Sequence, residues 1–239
     1  MPPIDPSAAI PPDTPLSKLP NFDPRQAPVI GVDAHLPAVD AGALAPQALR
    51  LRFALPPAWE PEVWSERRFT DRQPARASVL VPVVMRERPM VLLTERTTHL
   101  STHSGQVAFP GGKQDDTDVD AADTALREAH EEIGLDRGQA EVIGTMPTYT
   151  TGTMFIITPV IALVRPGYRI EINPHEVADA FEVPLDFLMN PAHHRRHAIA
   201  FSGTRREWFS MPYMDGSTER FIWGATAAML RNFYRFLSA

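Results

Sequence analysis

Proline placement divides this chain before any other feature does. Of the 25 prolines in 239 residues, 11 fall between Pro2 and Pro46. A residue with fixed φ and no N–H interrupts helices and central strands. Residues 1–45 therefore read as an extended arm, poorly ordered or draped on a surface. A plain tail and a partner-binding arm both fit that composition. From Pro46 the pattern changes, and residues 46–239 read as one folded domain.

Within that domain the sequence predicts alternating elements. PQALRLRFA, residues 46–54, has helical spacing with proline at its start. ASVLVPVVM (77–85) and MVLLTE (90–95) are strand-like runs flanking a polar turn, as in a hairpin. QVAF (106–109) is a short run entering Pro110, Gly111 and Gly112. Residues 118–133 read as a helix that starts in an acid-rich turn and stops at Gly134. EVIGTMPTY (141–149) and TMFIITPVIALV (153–164) are further strand candidates, and residues 223–237 a closing helix. No internal repeat appears.

Composition removes several kinds of chemistry. With no cysteine, the chain has no disulfide, thiolate zinc site or cysteine nucleophile. A net charge of −6 gives no footprint for binding a nucleic-acid backbone. No apolar run approaches the roughly 18 residues of a membrane helix. The first residues, MPPIDPSAAIPPDTP, lack a basic and an apolar leader region, so a cytoplasmic protein is the expectation.

The stretch GGKQDDTDVDAADTALREAHEEIGL, residues 111–135, carries the chemistry. On a helix, Ala122, Ala125, Ala129 and Ile133 share a side suited to close packing on a sheet. Glu128, Glu131 and Glu132 fall at i, i+3 and i+4 on another side. Such like-charge neighbours cost about 0.2–0.5 kcal/mol per pair when nothing relieves them. A solvated acidic face is one reading. The other is a hard divalent cation, which prefers carboxylate and water oxygens. The upstream diglycine supports the second, because glycine lets backbone approach the same ion.

These residues resemble the Nudix box: a glycine, five residues, a glutamate, seven residues, then Arg-Glu, an apolar residue, any residue, Glu-Glu, any residue, Gly and an apolar residue. Gly112 and the run Arg127-Glu128-Ala129-His130-Glu131-Glu132-Ile133-Gly134-Leu135 match it, the right half at every defined position. The left half departs. Asp118 stands six residues after Gly112 in place of glutamate, and eight residues separate it from Arg127.

The resemblance implies an α+β fold, the α/β/α sandwich of Nudix proteins with a curved mixed sheet. It implies Mg2+ or Mn2+ held by Glu128, Glu131 and Glu132 with the carbonyl of Gly112. Arg127 corresponds to the arginine that orients the glutamates. Glu132 is the ligand shared between ions, and Glu128 a ligand or the group that deprotonates water. Glu176 is the alternative base, since family members place an acid in that region; a simple helix-start glutamate is the other reading. Lys113 is either near the substrate phosphates or a solvated turn lysine.

Residues 92–112, LLTERTTHLSTHSGQVAFPGG, are similar to the signature of the coenzyme A diphosphatase branch: Leu-Leu-Thr, any residue, Arg, Ser or Ala, three residues, Arg, three residues, Gly, three residues, Phe-Pro-Gly-Gly. Leu92, Leu93, Thr94, Arg96, Gly105, Phe109, Pro110, Gly111 and Gly112 match in spacing. Thr97 replaces the small residue, and Ser101 the second arginine, with His99 and His103 nearby. EVADAFEVPLDFL and RFIWGATAAML extend the likeness, so that it covers about residues 46–237.

The branch implies cleavage of coenzyme A, or a derivative, to adenosine 3′,5′-bisphosphate and 4′-phosphopantetheine, with Arg96, Gly105, Phe109, Gly111 and Lys113 at the substrate. Ser101 keeps two alternatives open: another nucleoside diphosphate derivative such as ADP-ribose or a dinucleotide, and a non-catalytic nucleotide sensor. HHRRH (193–197) with Arg205 and Arg206 is a dense basic region, either a mouth for the 3′-phosphate or a solvated loop. The expected partner is a small nucleotide, not a nucleic acid or a membrane. The oligomeric state is open, a homodimer included.

Overall fold

The computed structural model of the protein describes residues 22–66, 68, 70–97, 105–201 and 204–239, together with residues 14, 16 and 19. In chain order the elements are β1 (Val29–Val32), α1 (Pro46–Ala54), β2 (Ala75–Val84), β3 (Met90–Arg96), β4 (Val107–Ala108) and β5 (Gly111–Lys113). After these come α2 (Ala121–Ile133), β6 (Ala140–Thr145), β7 (Tyr149–Thr150), β8 (Phe155–Val164), β9 (Val177–Pro184) and α3 (Leu185–Leu188). The chain ends in β10 (Arg195–Phe201), β11 (Thr204–Asp215), β12 (Thr218–Trp223) and α4 (Gly224–Ser238).

Strands β2 to β9 form one mixed sheet along the path β4-β3-β2-β8-β6, with β5 on β2, β7 on β8 and β9 on β3. Only β2 and β8 run parallel, in register from Ala75 opposite Phe155 to Val84 opposite Val164. Parallel strands need covered faces. Alternation supplies them. Leu80, Val84, Leu92, Val160, Ala162 and Val164 face α2, whose Ala125, Ala129 and Ile133 are fully buried. Val81, Val83, Val91, Leu93, Ile161 and Leu163 face the other way, onto α4 and Leu49 of α1. This is the α+β sandwich of helices around a mixed sheet that the resemblance implies.

The hairpin expected at residues 77–95 exists only at its turn. Val83 pairs with Val91 and Val84 with Met90, and then the strands part to admit β5. Pro82 lies in the gap between the two ladders, where its missing N–H breaks no pairing. Glu176 is not at a helix start but precedes a strand, β9, in which Phe181 and Val183 alternate onto the α4 side while Val177, beyond a shift in register, packs on the α2 side. The helix expected from residue 118 starts at Ala121, since Asp120 is the cap.

A second sheet, β1-β10-β11-β12, is wholly antiparallel and was not expected. Val29 of β1 pairs with His197 of β10, so part of the proline-rich stretch belongs to a sheet. Phe22 packs edge-on to Trp208, and Arg25 lies over Phe221, which lays residues 22–28 across this sheet. The arm assigned to residues 1–45 thus contains β1 and the helical turn Ala41–Leu44. Among the described residues no helix is long and apolar enough to cross a membrane.

Candidate active site

Helix α2 is held at both ends. The side chain of Asp120 accepts from the backbone N–H of Asp123 at 2.8 Å, and Gly134 ends the helix at φ 68°. The small Ala125 and Ala129 bring its axis close to the sheet, which turns the glutamate side toward the Gly111–Lys113 strand. A side chain at Gly112 would push the Glu128 carboxylate aside. A Cβ on it would lie 2.5 Å from the Glu128 carboxyl carbon. Gly111 is the position that requires glycine, because a Cβ there would lie 2.6 Å from the backbone Cα of Val79. Its N–H donates to Oε2 of Glu132 at 3.2 Å.

The carboxylates share a strained electrostatic setting. Glu132 has a side chain only 4% exposed, 3.9 Å from an Nη of Arg96. Burial, joined by repulsion from Glu128 and Glu176, pushes its carboxyl up to about 7, against the pull of the Gly111 N–H and Arg96. Burial raises Glu128 as well, with Glu131 and Glu176 adding to the shift and Arg127 opposing it. Glu176 therefore stands close enough for its charge to be felt by both. It is tied in by the Thr97 N–H, which donates to its carbonyl at 3.1 Å.

Arg127 is the hub. It grips Asp118 with two hydrogen bonds of 2.8 Å, donates to one oxygen of Glu128 and one of Glu131 at 3.0 Å, and reaches the carbonyl of Lys113 at 3.1 Å. The Asp118 side chain is 2% exposed, and its carboxyl is held well below the usual range, by the bonds from Arg127 above all. The shorter acid at this altered spacing thus anchors the arginine. The sequence signal was the acidic residue six positions after Gly112; its bidentate partner was not foreseen.

The structure brings Glu128, Glu132, Glu176, Arg96, Arg127, Gly111 and Gly112 together. Glu131 stands apart, 54% exposed and bound to Arg127. Lys113 is exposed and lines a cleft of about 230 Å³ with Gln114, Asp115, Asp116, Arg127 and Glu128. Phe109 does not face the cleft: it is buried with Val107 in the α4-side core, on the opposite side from half-buried Ala108. Gly105, at φ 65°, closes the chain against β3 through its N–H to the Arg96 carbonyl at 3.1 Å. His99, Ser101 and His103 lie outside the described residues.

Among the described residues, no three His, Asp or Glu side chains converge tightly enough to enclose a metal ion. Arg127 takes one oxygen from each of Glu128 and Glu131. The donor set still fits a hard divalent cation: it is all oxygen, partly buried, and carries mutual repulsion that two arginines leave uncompensated. The basic stretch at residues 193–197 is not a solvated loop but runs into strand β10. His194 and His197 are buried, Arg196 pairs with Asp33 and Glu62, and Arg205 pairs with Glu207. Strands β10 and β11 carry these residues in the second sheet, with Arg195 exposed and Arg205 paired at the surface.

The NUDIX domain family matches residues 74–202. The chain is 39% identical over 157 residues to proteins described as "Uncharacterized Nudix hydrolase NudL" in Enterobacter sp. (strain 638) and Escherichia coli (strain K12), an alignment spanning 65% of this chain and 79% of the relative. Among solved structures it is similar to a C. elegans Ap4A hydrolase binary complex, with 19% identity, a TM-score of 0.40 and coverage of 49% of this chain and 85% of the other. It is also similar to the NUDIX domain of Shewanella oneidensis NrtR complexed with ADP ribose, with 21% identity, a TM-score of 0.38 and coverage of 48% and 75%. By the family match and the NudL relatives, the chain belongs to the Nudix hydrolases, enzymes that act on the diphosphate linkage of nucleoside diphosphate derivatives.

Proposed function

We propose that this protein hydrolyses the diphosphate of coenzyme A or a close derivative, giving adenosine 3′,5′-bisphosphate and a 4′-phosphopantetheine product. One observation carries this reading. Arg96, the arginine of the Leu-Leu-Thr-x-Arg run, ends β3 beside Glu132, and its buried Nε has no hydrogen-bond partner. A buried donor without an acceptor costs about 1–3 kcal/mol. A phosphate oxygen would relieve it. The match of Leu92, Leu93, Thr94, Gly105 and Pro110–Gly112 to the branch signature supports the same substrate.

Magnesium or manganese, held by Glu128 and Glu132 with Glu131 and the Gly112 carbonyl in reserve, would neutralise the diphosphate and acidify a water. The remaining chemistry belongs to side chains. Glu128, raised by burial, or Glu176 beside it accepts the proton of the attacking water. Arg127 orients Glu128 while Asp118 fixes Arg127. Arg96 and Lys113 offset charge on the phosphates, and no covalent enzyme intermediate is required.

Purified protein with magnesium, and separately with manganese, is incubated with coenzyme A, ADP-ribose, NADH and diadenosine polyphosphates, and products are identified by mass. Coenzyme A cleaved far faster than the rest is the expected result. Preferential cleavage of ADP-ribose or a dinucleotide would replace the substrate, a reading that Ser101 in place of the signature arginine favours. No turnover with either metal would leave a nucleotide-binding module.

A further inference from the structure

Of the basic residues that the sequence offered for a third phosphate, Arg196 and Arg205 are ion-paired within the second sheet and Arg195 is exposed on it, whereas an uncommitted cation lies on the face of the main sheet beside the carboxylates. Arg76 is exposed on β2. Side chains alternate along the strand, and Leu80 faces α2, so Ser78 and Arg76 share that face. Gly112 stands opposite Ser78 and against the Glu128 carboxylate. Arg76 belongs to the adjoining row, about 7 Å along the strand at two residues of rise. There the Gln114 N–H donates to its carbonyl at 3.0 Å on one side, and half-buried Ile156 pairs with it on the other.

Gln114 itself lines the cleft that holds Lys113, Arg127 and Glu128. Arg127 is filled by Asp118, Glu128 and Glu131, and Arg96 leans on Glu132. Among the described residues the Arg76 guanidinium has no hydrogen-bond or ion-pair partner, although Asp115 and Asp116 lie one and two positions beyond Gln114. Its planar fork suits two oxygens of one phosphate, which a lysine cannot match.

We infer that Arg76 binds a phosphate monoester that the substrate carries beyond its diphosphate, and thereby selects substrates bearing three phosphates over those bearing two. This rests on reading the chain as a hydrolase of coenzyme A-like diphosphates. Measure kcat/KM for coenzyme A and 3′-dephospho-coenzyme A with the wild-type protein, Arg76→Ala and Arg76→Lys, with thermal unfolding as the fold control. Arg76→Ala is expected to lower kcat/KM for coenzyme A by about 10-fold more than for 3′-dephospho-coenzyme A, the scale of one charged hydrogen-bonded contact. Arg76→Lys should keep part of the preference.

Equal losses on both substrates, or no loss on either, overturn the inference while leaving the proposed function standing. If the wild-type protein cleaves neither, the proposed function fails, and the same comparison is made with ADP-ribose and ADP-ribose 2′-phosphate. A preference for the extra phosphate that Arg76→Ala removes upholds the inference there. A wild-type protein with no such preference in either pair removes it.

Discussion

Two clusters of charge in this molecule are built on opposite plans. Under α4, Asp33, Glu62, Arg196 and Arg231 close on themselves. Arg231, 1% exposed, meets Glu62 at 2.7 Å and Asp33 at 3.0 Å, and Arg196 meets the same two acids at 2.7 and 3.0 Å. His194 completes the set. Its Nδ1 lies 3.1 Å from Arg231 and its Nε2 2.8 Å from the Leu188 carbonyl, so the neutral ring accepts from the arginine and donates to the carbonyl. Two buried or half-buried cations meet two anions, with Arg235 at the rim 3.9 Å from Glu62. Along α2, by contrast, Arg127 and Arg96 face Asp118, Glu128, Glu131, Glu132 and Glu176. The first cluster has settled its charge within the fold; the second leaves negative charge for something else to answer.

That contrast is broken most forcefully at Glu132. Glu132→Gln keeps the shape and the Gly111 contact but removes the charge, and kcat/KM is expected to fall by about 10³-fold or more, as when several kcal/mol of charge stabilisation are lost. Thermal unfolding of the metal-free variant should show no loss of stability. A variant that unfolds while turnover per folded molecule survives would make α2 a structural cluster like the other.

Next in size is Arg231→Met, which takes the most buried cation from Asp33 and Glu62 and the donor from His194, leaving the two acids to the half-exposed Arg196. Removing one partner of a buried ion pair costs about 3–5 kcal/mol, read as the midpoint of chemical denaturation, with kcat/KM per folded molecule little changed. A large catalytic defect in the folded variant would mean that the two clusters are coupled.

The pH dependence of metal-free stability should separate them by sign. Burial holds His194 down to about 4 from an ordinary 6.5, so the folded state binds its proton less readily than the unfolded chain. The stability this represents is full above pH 6.5 and lost as pH falls toward 4, on the order of 3 kcal/mol. Glu132 runs the other way: raised to about 7 from 4.5, it favours the fold below pH 4.5 and loses that contribution as pH rises through 7. His194→Gln should flatten the acid side of the profile and Glu132→Gln the neutral side. The same limb lost in both variants would defeat the assignment.

The smallest expected effect is at Asp118. Asp118→Asn removes charge from the acid that anchors Arg127, and a loss of about 10–100-fold in kcat/KM follows from the usual weight of such supporting partners. The unfolding midpoint reports separately on any stability lost. Unchanged kcat/KM would show that Arg127 is positioned by the glutamates and the Lys113 carbonyl alone.

The two clusters were unequally legible in the sequence. Glu128, Glu131 and Glu132 lie within one helical stretch, so spacing alone places them on one side, and Gly112 with Gly134 marks the boundaries. The start of α2 was harder to place. Asp115 and Asp118 form their own turn, the Asp115 N–H donating to Asp118 at 2.8 Å, so several acids competed as the cap. The α4 network was invisible because its members come from residues 33 to 231, held by pairings such as Val29 with His197. Strands β10 and β11 hid behind charge: RRHAIAF and TRREWFSMPYMD read as basic surface until Trp208 stacks on His197 and Arg196 turns toward Asp33. Phe109 was misread for a related reason, since a signature residue can be retained for packing beneath a site as readily as for contact within it.

A direct decision comes from titrating Mn2+ into metal-free protein and counting the bound ion by electron paramagnetic resonance, beside Glu132→Gln. Saturable binding by the wild-type protein, strongly weakened in the variant, is expected of carboxylates awaiting a cation on α2. Binding that is absent from both proteins, or equal in both, would mean that Arg127 and Arg96 already satisfy this helix and that its acids do not hold the metal.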